Sequence, residues 1–142
     1  MINMNYIAFA ILFLFTSGDT VAGEFAYICE VRHVYSLEKN GSLETFPKSE
    51  LEKLMKKNSF SVSRDTGTLV GNSTDLDTSL AKSMRVINKG SKDNSFRAVA
   101  DFGDFESGNH PYQFIEVEEF NKGANKPFVL MGSLGIITGI YK

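Results

Sequence analysis

Glu116, Glu118 and Glu119 place three carboxylates within four positions, and Asp101 is a fourth candidate for acid–base work. Two carboxylates flanking one bond are the machinery of glycoside hydrolysis, and they must stand about 5 to 9.5 Å apart across a concave site. On an extended strand, however, Glu116 and Glu118 share a face with Tyr112 and Phe114, opposite Ile115 and Val117. That is the pattern of a solvated sheet face. Asp75 and Asp77 have the spacing of a calcium loop, but the glycine and distal glutamate such loops require are missing, so no metal is expected. Cys29, His33 and His110 are the whole supply of thiol and imidazole, too few and too scattered for a structural zinc site. Cys29 and His33 sit about 13 Å apart along one strand and cannot act as nucleophile and base together. No motif supports a pairing of Cys29 with His110. Gly67 and Gly71 are not followed by the Lys and Ser or Thr of a phosphate loop, and no cofactor is expected. The chemistry points to binding rather than catalysis.

The elements that must position these residues are mostly strands. From Phe25 to Leu37, apolar side chains fall at Phe25, Tyr27, Cys29, Val31, Tyr35 and Leu37, with Glu30, Arg32 and Ser36 on the other face. This period of two predicts a long, half-buried strand. Asn40-Gly41 then supplies a tight hairpin returning through Ser42 to Phe46. One short helix is expected from Pro47 to about Asn58: Pro47 suits a first turn, Ser49 and Glu52 have capping-box spacing, and Leu51, Leu54 and Met55 form a stripe to pack on a sheet. Further strands are expected at SFSVSR from Ser59, TLVG from Thr68, SMRVIN from Ser83, SFRAVADF from Ser95 and YQFIEVEEF from Tyr112. A last long stretch runs from Pro127, where Gly132, Gly135 and Gly139 should mark bulges or bends. Gly67 should be left-handed in a tight turn, Lys89–Asn94 should form a polar turn, and Asn72–Ser83 should be a surface loop. The fold class is therefore mainly β (α+β): an antiparallel meander forming a small barrel or sandwich with one short helix packed on it.

Ten apolar residues, Tyr6–Phe15, follow an uncharged start and precede small and polar residues up to Ala22 and Gly23. As a helix they reach about 15 Å, half of the roughly 30 Å hydrocarbon layer, which fits a signal-peptide core better than an anchor. Residues 1–22 are read as a signal peptide and 23–142 as a single β domain, exported to the periplasm or secreted, with no membrane span after removal. The missing Lys or Arg before the apolar run is the one departure from the signal pattern. The whole chain has a formal charge of −2, so there is no electrostatic reason to expect nucleic acid as a partner. A lone cysteine in an exported chain has no internal disulfide partner. Cys29 is read as a small buried apolar residue, with a reactive or intermolecular thiol as the other reading. With 12 Phe and 5 Tyr, the aromatics suit either a plain core, a cavity for a small carried ligand, or an exposed edge for a protein partner at Tyr35, Tyr112 or Tyr141.

Two resemblances add to this reading. YICEV at Tyr27–Val31, FSVSRDTGTLVG at Phe60–Gly71 and KPFVLMGSLGIITG near the end resemble small exported bacterial proteins that have no assigned function. Ser107, Gly108 and Tyr112, with Phe120, Lys122, Gly123 and Ala124, resemble the pattern of periplasmic inhibitors of c-type lysozyme, which also begin with a Tyr-x-Cys strand and fold as small β-barrels. The resemblance implies a protein partner of lysozyme type, with Ser107 and Lys122 entering its cleft and Tyr112 beside them. The sequence departs from the pattern in one extra residue between Gly108 and Tyr112, in Phe120 standing for a tryptophan, and in lacking a second cysteine. The expected function is that of an exported, soluble, non-catalytic binding protein for a protein or glycan. An inhibitor of lysozyme and a small-ligand carrier are the alternatives.

Overall fold

The computed structural model describes residues 25–45, 58–103, 112–133 and 135–142. Among the described residues nine strands form one antiparallel sheet: β1 (Ala26–Leu37), β2 (Leu43–Thr45), β3 (Ser59–Ser63), β4 (Leu69–Val70), β5 (Ser83–Ser91), β6 (Asn94–Asp101), β7 (Tyr112–Val117), β8 (Lys126–Gly132) and β9 (Gly135–Tyr141). Their order is β4-β3-β1-β9-β8-β7-β6-β5, with β2 also paired to β1. The sheet curls into a half-barrel, so the mainly β, barrel-like expectation holds. The expected signal peptide and the expected helix at 47–58 lie outside the described residues, Asn58 excepted. Among the described residues the only helical piece is a single 3₁₀ turn, Thr74–Leu76.

β1 shows how closely the pattern of two predicts burial, and where it stops. Tyr27, Cys29 and Val31 are fully buried as expected, but Val34 is buried too, while Phe25 and Leu37 are largely exposed. The register against β9 explains this: Val31 pairs with Gly139 and His33 with Thr138, leaving Arg32 as an extra residue. That bulge reverses which face is inward. Tyr35 therefore lies only half-buried, and Cys29 and His33 point to opposite faces rather than sharing one. A second bulge, at Ile87 in β5, lies between the pairs Val86–Ala98 and Asn88–Arg97, and that isoleucine is exposed.

The Asn40-Gly41 hairpin forms as expected, with Leu37 opposite Leu43. The polar turn after β5 is tighter than expected, since Lys89, Gly90 and Ser91 belong to the strand and Ser91 pairs with Asn94. The final apolar stretch is not one curved strand but two, β8 and β9, and Gly132 and Gly135 close the hairpin between them. Gly139 faces the interior, where a Cβ would collide with the Glu30 carbonyl and lie 2.7 Å from the Phe128 ring. It marks a close approach of β1 and β9, not a bend.

The interior is filled. Tyr27 on β1 meets Phe96 on β6 at 5.0 Å between ring centroids, and Phe60 on β3 meets Phe128 on β8 edge-to-face at 5.3 Å. Val31, Val62, Leu69, Ala98, Ile115, Val117, Leu130 and Ile137 complete this core. β4 and β5 are not paired with each other, and the gap between them is covered by side chains and turns. Gly67, left-handed at φ +78° as expected, rests on β6 so closely that a Cβ there would lie 2.7 Å from that of Ala98. Among the described residues, no helix is long and apolar enough to cross a membrane.

Candidate ligand groove

The segment from Gly71 to Lys82 crosses one end of the half-barrel from β4 to β5. It was expected to be a surface loop, and Leu80 at 84 % exposure fits that, but Leu76 is fully buried and Thr78 nearly so. A single leucine plugs the core from within the loop. Backbone bonds fasten it on both sides: Thr78 N–H donates to the Leu69 carbonyl at 3.0 Å, and Lys82 N–H donates to the Asp101 carbonyl at 2.7 Å. Leu69 N–H in turn donates to Thr78 Oγ1 at 2.8 Å, which satisfies the buried hydroxyl. A fully packed side chain plus three such bonds hold the loop as part of the fold rather than as a mobile flap.

Beneath and beside this loop lies a groove of about 570 Å³. Leu80, Phe102 and Tyr112 give it apolar surface, Gln113 and Ser133 give it polar groups, and Asp75 and Asp77 give it negative charge. Asp75 ties loop to sheet twice: its carbonyl accepts from Gln113 Nε2 at 2.5 Å, and its Oδ1 accepts from Ser133 Oγ at 3.0 Å. Asp77 Oδ1 accepts from Ser79 N–H at 2.7 Å. The Ser79 hydroxyl foremost, then the N–H groups of Ser79 and Gly71, hold the Asp77 carboxyl below its ordinary range. Gln113 is 6 % exposed, and its Oε1 has no hydrogen-bond partner. A buried acceptor left in that state costs about 1–3 kcal/mol, so it is a place where a donor is favoured.

Of the three residues singled out from the lysozyme-inhibitor pattern, Ser107 lies outside the described residues. Tyr112 is 58 % exposed and borders the groove. Lys122 is exposed in the connection from β7 to β8. Tyr112 opens β7 and Lys122 follows its far end, so the strand separates them by about 17 Å at 3.4 Å per residue. The structure brings Tyr112 together with Asp75, Asp77 and Gln113, and not with Lys122.

Three of the four carboxylates that suggested hydrolysis, Glu116, Glu119 and Asp101, are otherwise engaged. Glu116 is on the outward face, as expected, in an ion pair with Arg97 at 2.8 Å. The Arg97 hydrogen bond is the main cause of its lowered pKa, which keeps it ionised and unsuited to act as an acid. Asp101 Oδ1 accepts from Gly103 N–H at 2.8 Å. Glu119, out of phase with Glu116 and Glu118, is only 9 % exposed and pairs with Arg64 at 2.7 Å. Cys29 is fully buried, and desolvation pushes its thiol well above the usual range, which fits the apolar reading. Among the described residues no cluster of three or more His, Cys, Asp or Glu side chains is disposed to hold a metal.

Sequence reasoning missed Gln113, and a signal for it was present. Gln113, Ile115, Val117 and Glu119 share one phase, so the inward row of β7 begins and ends on a polar residue. A polar side chain in an apolar register marks a satisfied network or a site. No protein-family model matches the chain, and no match is found among curated proteins or among solved structures.

Proposed function

We propose that the chain is a non-catalytic binding protein whose ligand seats in the groove under the 71–82 segment. The observation that supports this reading is the pairing of a filled barrel interior with a preformed groove of ligand size, apolar on its walls and polar on its floor. A small ligand thus has room at the end of the half-barrel and not along its axis. The groove lining has no described Cys, His or Lys to serve as nucleophile or base, which favours binding over turnover. The apolar run at 6–15 supports export to the periplasm or the exterior, where a glycan or a protein is the natural class of partner. Amide chemical-shift mapping with candidate glycans and envelope proteins tests the reading. Shifts confined to residues 71–82, Tyr112, Gln113 and Ser133 are expected, and a partner that perturbs only a distant face refutes it.

A second reading, inhibition of a c-type lysozyme, draws on the resemblance at Ser107 and Lys122 and on the exposure of Lys122. Inhibition by the wild-type chain that is lost in the double variant Ser107→Ala, Lys122→Ala is the expected result on this reading. Inhibition that survives the double substitution removes the mechanism.

A further inference from the structure

The two ends of the strand order are finished differently. β4 is two residues long and its outer edge is sealed, since Leu69 N–H donates to Thr78 Oγ1 at 2.8 Å and Thr78 N–H donates back to the Leu69 carbonyl at 3.0 Å. β5 is nine residues long and pairs only with β6. Among the described residues no backbone bond joins its other side to a neighbour, and Ser83, Arg85, Ile87 and Lys89 are exposed. The β3–β4 turn does not cover this edge. A Cβ at Gly67 would lie 2.7 Å from that of buried Ala98 and 3.4 Å from the Met84 and Val86 side chains, which sets the turn on the inner face of β5 and β6. Gly90 N–H is taken by Asn88 Oδ1 at 3.0 Å, so the open stretch is 83–89. A row of unpaired N–H and C=O groups is a template for an added strand.

Charge decides which strand. Lys82, Arg85, Lys89 and Lys92 are exposed along this edge and the turn after it, in a chain whose formal charge is −2. Asp93 is the one acidic residue from 82 to 93, and Lys89 has Asp65 at 3.7 Å in an exposed pair. The four cations are symmetric about Ile87, so a second copy laid antiparallel in the register centred there would set Lys82 against Lys92 and Arg85 against Lys89. A bulge and a row of cations guard an edge against second copies and neutral strands. A guard of one sign still attracts the other. A nucleic acid would meet the charge and leave the backbone row unpaired, whereas an acidic peptide strand satisfies both.

We infer that the β5 edge takes an extended acidic segment of a partner protein as an added strand, its backbone pairing with residues 83–89 and its carboxylates beside Lys82, Arg85 and Lys89. Ile87, 53 % exposed, offers an apolar contact at the centre. At the Lys89 end the edge meets a groove of about 500 Å³ walled by Phe25, Arg64, Asp65, Lys89 and Gly90, with room for an anchoring side chain. This surface is separate from the groove under the 71–82 segment, whose Asp75 and Asp77 would repel such a peptide.

Short blocked peptides titrated into the full chain test the inference: one alternating glutamate and valine, one alternating lysine and valine, and the glutamate peptide N-methylated at alternate residues. The glutamate peptide should shift amides within 83–89, slow their exchange, and bind at least about tenfold more tightly than either of the others. The double variant Arg85→Glu, Lys89→Glu, at exposed positions, should reverse the preference between the glutamate and lysine peptides. If that variant fails to fold, rising salt should weaken the glutamate peptide on the wild-type chain. Equal binding of the two charges overturns the inference, and so does equal binding of the N-methylated peptide, which cannot pair as a strand. Oligothymidylate bound at 83–89 as tightly as the glutamate peptide overturns it in favour of a nucleic acid. Shifts confined to other residues, or no binding by any peptide, also overturn it, and the groove reading is then judged on its own glycan and protein partners.

Discussion

The inward row of β7 ends in Gln113 at one end of the half-barrel and in Glu119 at the other, and the two ends treat a buried polar group in opposite ways. At the Glu119 end, Arg64 meets the carboxylate at 2.7 Å and its guanidinium stands 5.1 Å from the centre of the Tyr27 ring. Lys126 Nζ donates to the Glu119 carbonyl at 2.6 Å, and Tyr141 and Phe96 pack on Tyr27. Burial first, then the nearby Glu119 charge, pushes the Tyr27 phenol far above its ordinary range. Here a cation of the fold compensates the carboxylate and aromatic rings pack around it, while Glu119 Oε2 and the Tyr27 hydroxyl stay buried without a hydrogen-bond partner. At the Gln113 end the polar group is uncharged: its Nε2 donates to the Asp75 carbonyl, its Oε1 is buried without a partner, and the side chain borders a groove. The comparison teaches that a buried charge is kept where the fold itself supplies the counter-charge, whereas a neutral amide is tolerated with part of its hydrogen-bonding capacity unmet.

The strongest way to break this contrast is at the Glu119 end. Phe96→Ala should lower unfolding free energy by about 3–5 kcal/mol, because the lost ring leaves a void against Tyr27 that the sheet cannot collapse to fill. Denaturant unfolding measures it, and a loss below about 1 kcal/mol would mean that the aromatic packing is not what holds this end. Glu119→Ala should cost about 2 kcal/mol by removing the ion pair with Arg64, less than for a fully dry pair because Arg64 keeps access to water. At the Gln113 end Gln113→Leu should change stability by no more than about 1 kcal/mol, since it removes one hydrogen bond and one orphan acceptor together. Hydrogen exchange should nevertheless quicken in residues 71–82, where the bond to Asp75 is lost. An exchange pattern identical to wild type would show that Leu76 alone holds the loop.

The smallest expected effect is that of acid. Glu116, Glu30 and Asp77 all have lowered pKa values in the folded chain, through hydrogen bonds from Arg97, Lys142 and Ser79 respectively. Groups depressed on folding stabilise the native state above their unfolded pKa, and the contribution is lost as pH falls through the folded value. Stability should therefore hold at neutral pH and decline below the ordinary carboxylate range. The Arg97–Glu116 pair is partly exposed and screened by water, so its contribution is small. Arg97→Gln should make the acid limb of stability against pH slightly shallower, and a steeper limb would reverse the sign of this account.

Most of the sheet was legible because a half-buried antiparallel strand writes its burial into alternate residues. Tyr27, Cys29, Val31, Ile115 and Val117 were readable in this way. The bulge at Arg32 was not, since one unpaired residue reverses the phase without altering composition, and Val34 looks no different from its neighbours before the register is known. The β8–β9 hairpin was hidden because Gly132 and Gly135 stand inside one continuous apolar run, with no polar turn residue beyond Ser133. The groove was the least legible part. Its residues come from the 71–82 segment, the end of β6, the start of β7 and the β8–β9 turn, and only strand order brings these together. Tyr112 was singled out from a motif whose other described members, Phe120, Lys122, Gly123 and Ala124, follow the opposite end of β7.

Strand order also dictates a sequence of events in folding. β5 to β9 form an unbroken meander in which each strand pairs with the next, whereas β1 must wait for β9, joining Cys29 to Tyr141. Local hairpins close quickly and such distant pairings slowly. One half of the sheet can therefore assemble during synthesis while β1, with β2, β3 and β4 attached, remains an unsatisfied edge until β9 has emerged. Under the proposed export, a chain that must stay unfolded to pass through a membrane pore would gain from this arrangement, because the piece that leads is the piece that cannot complete the sheet alone.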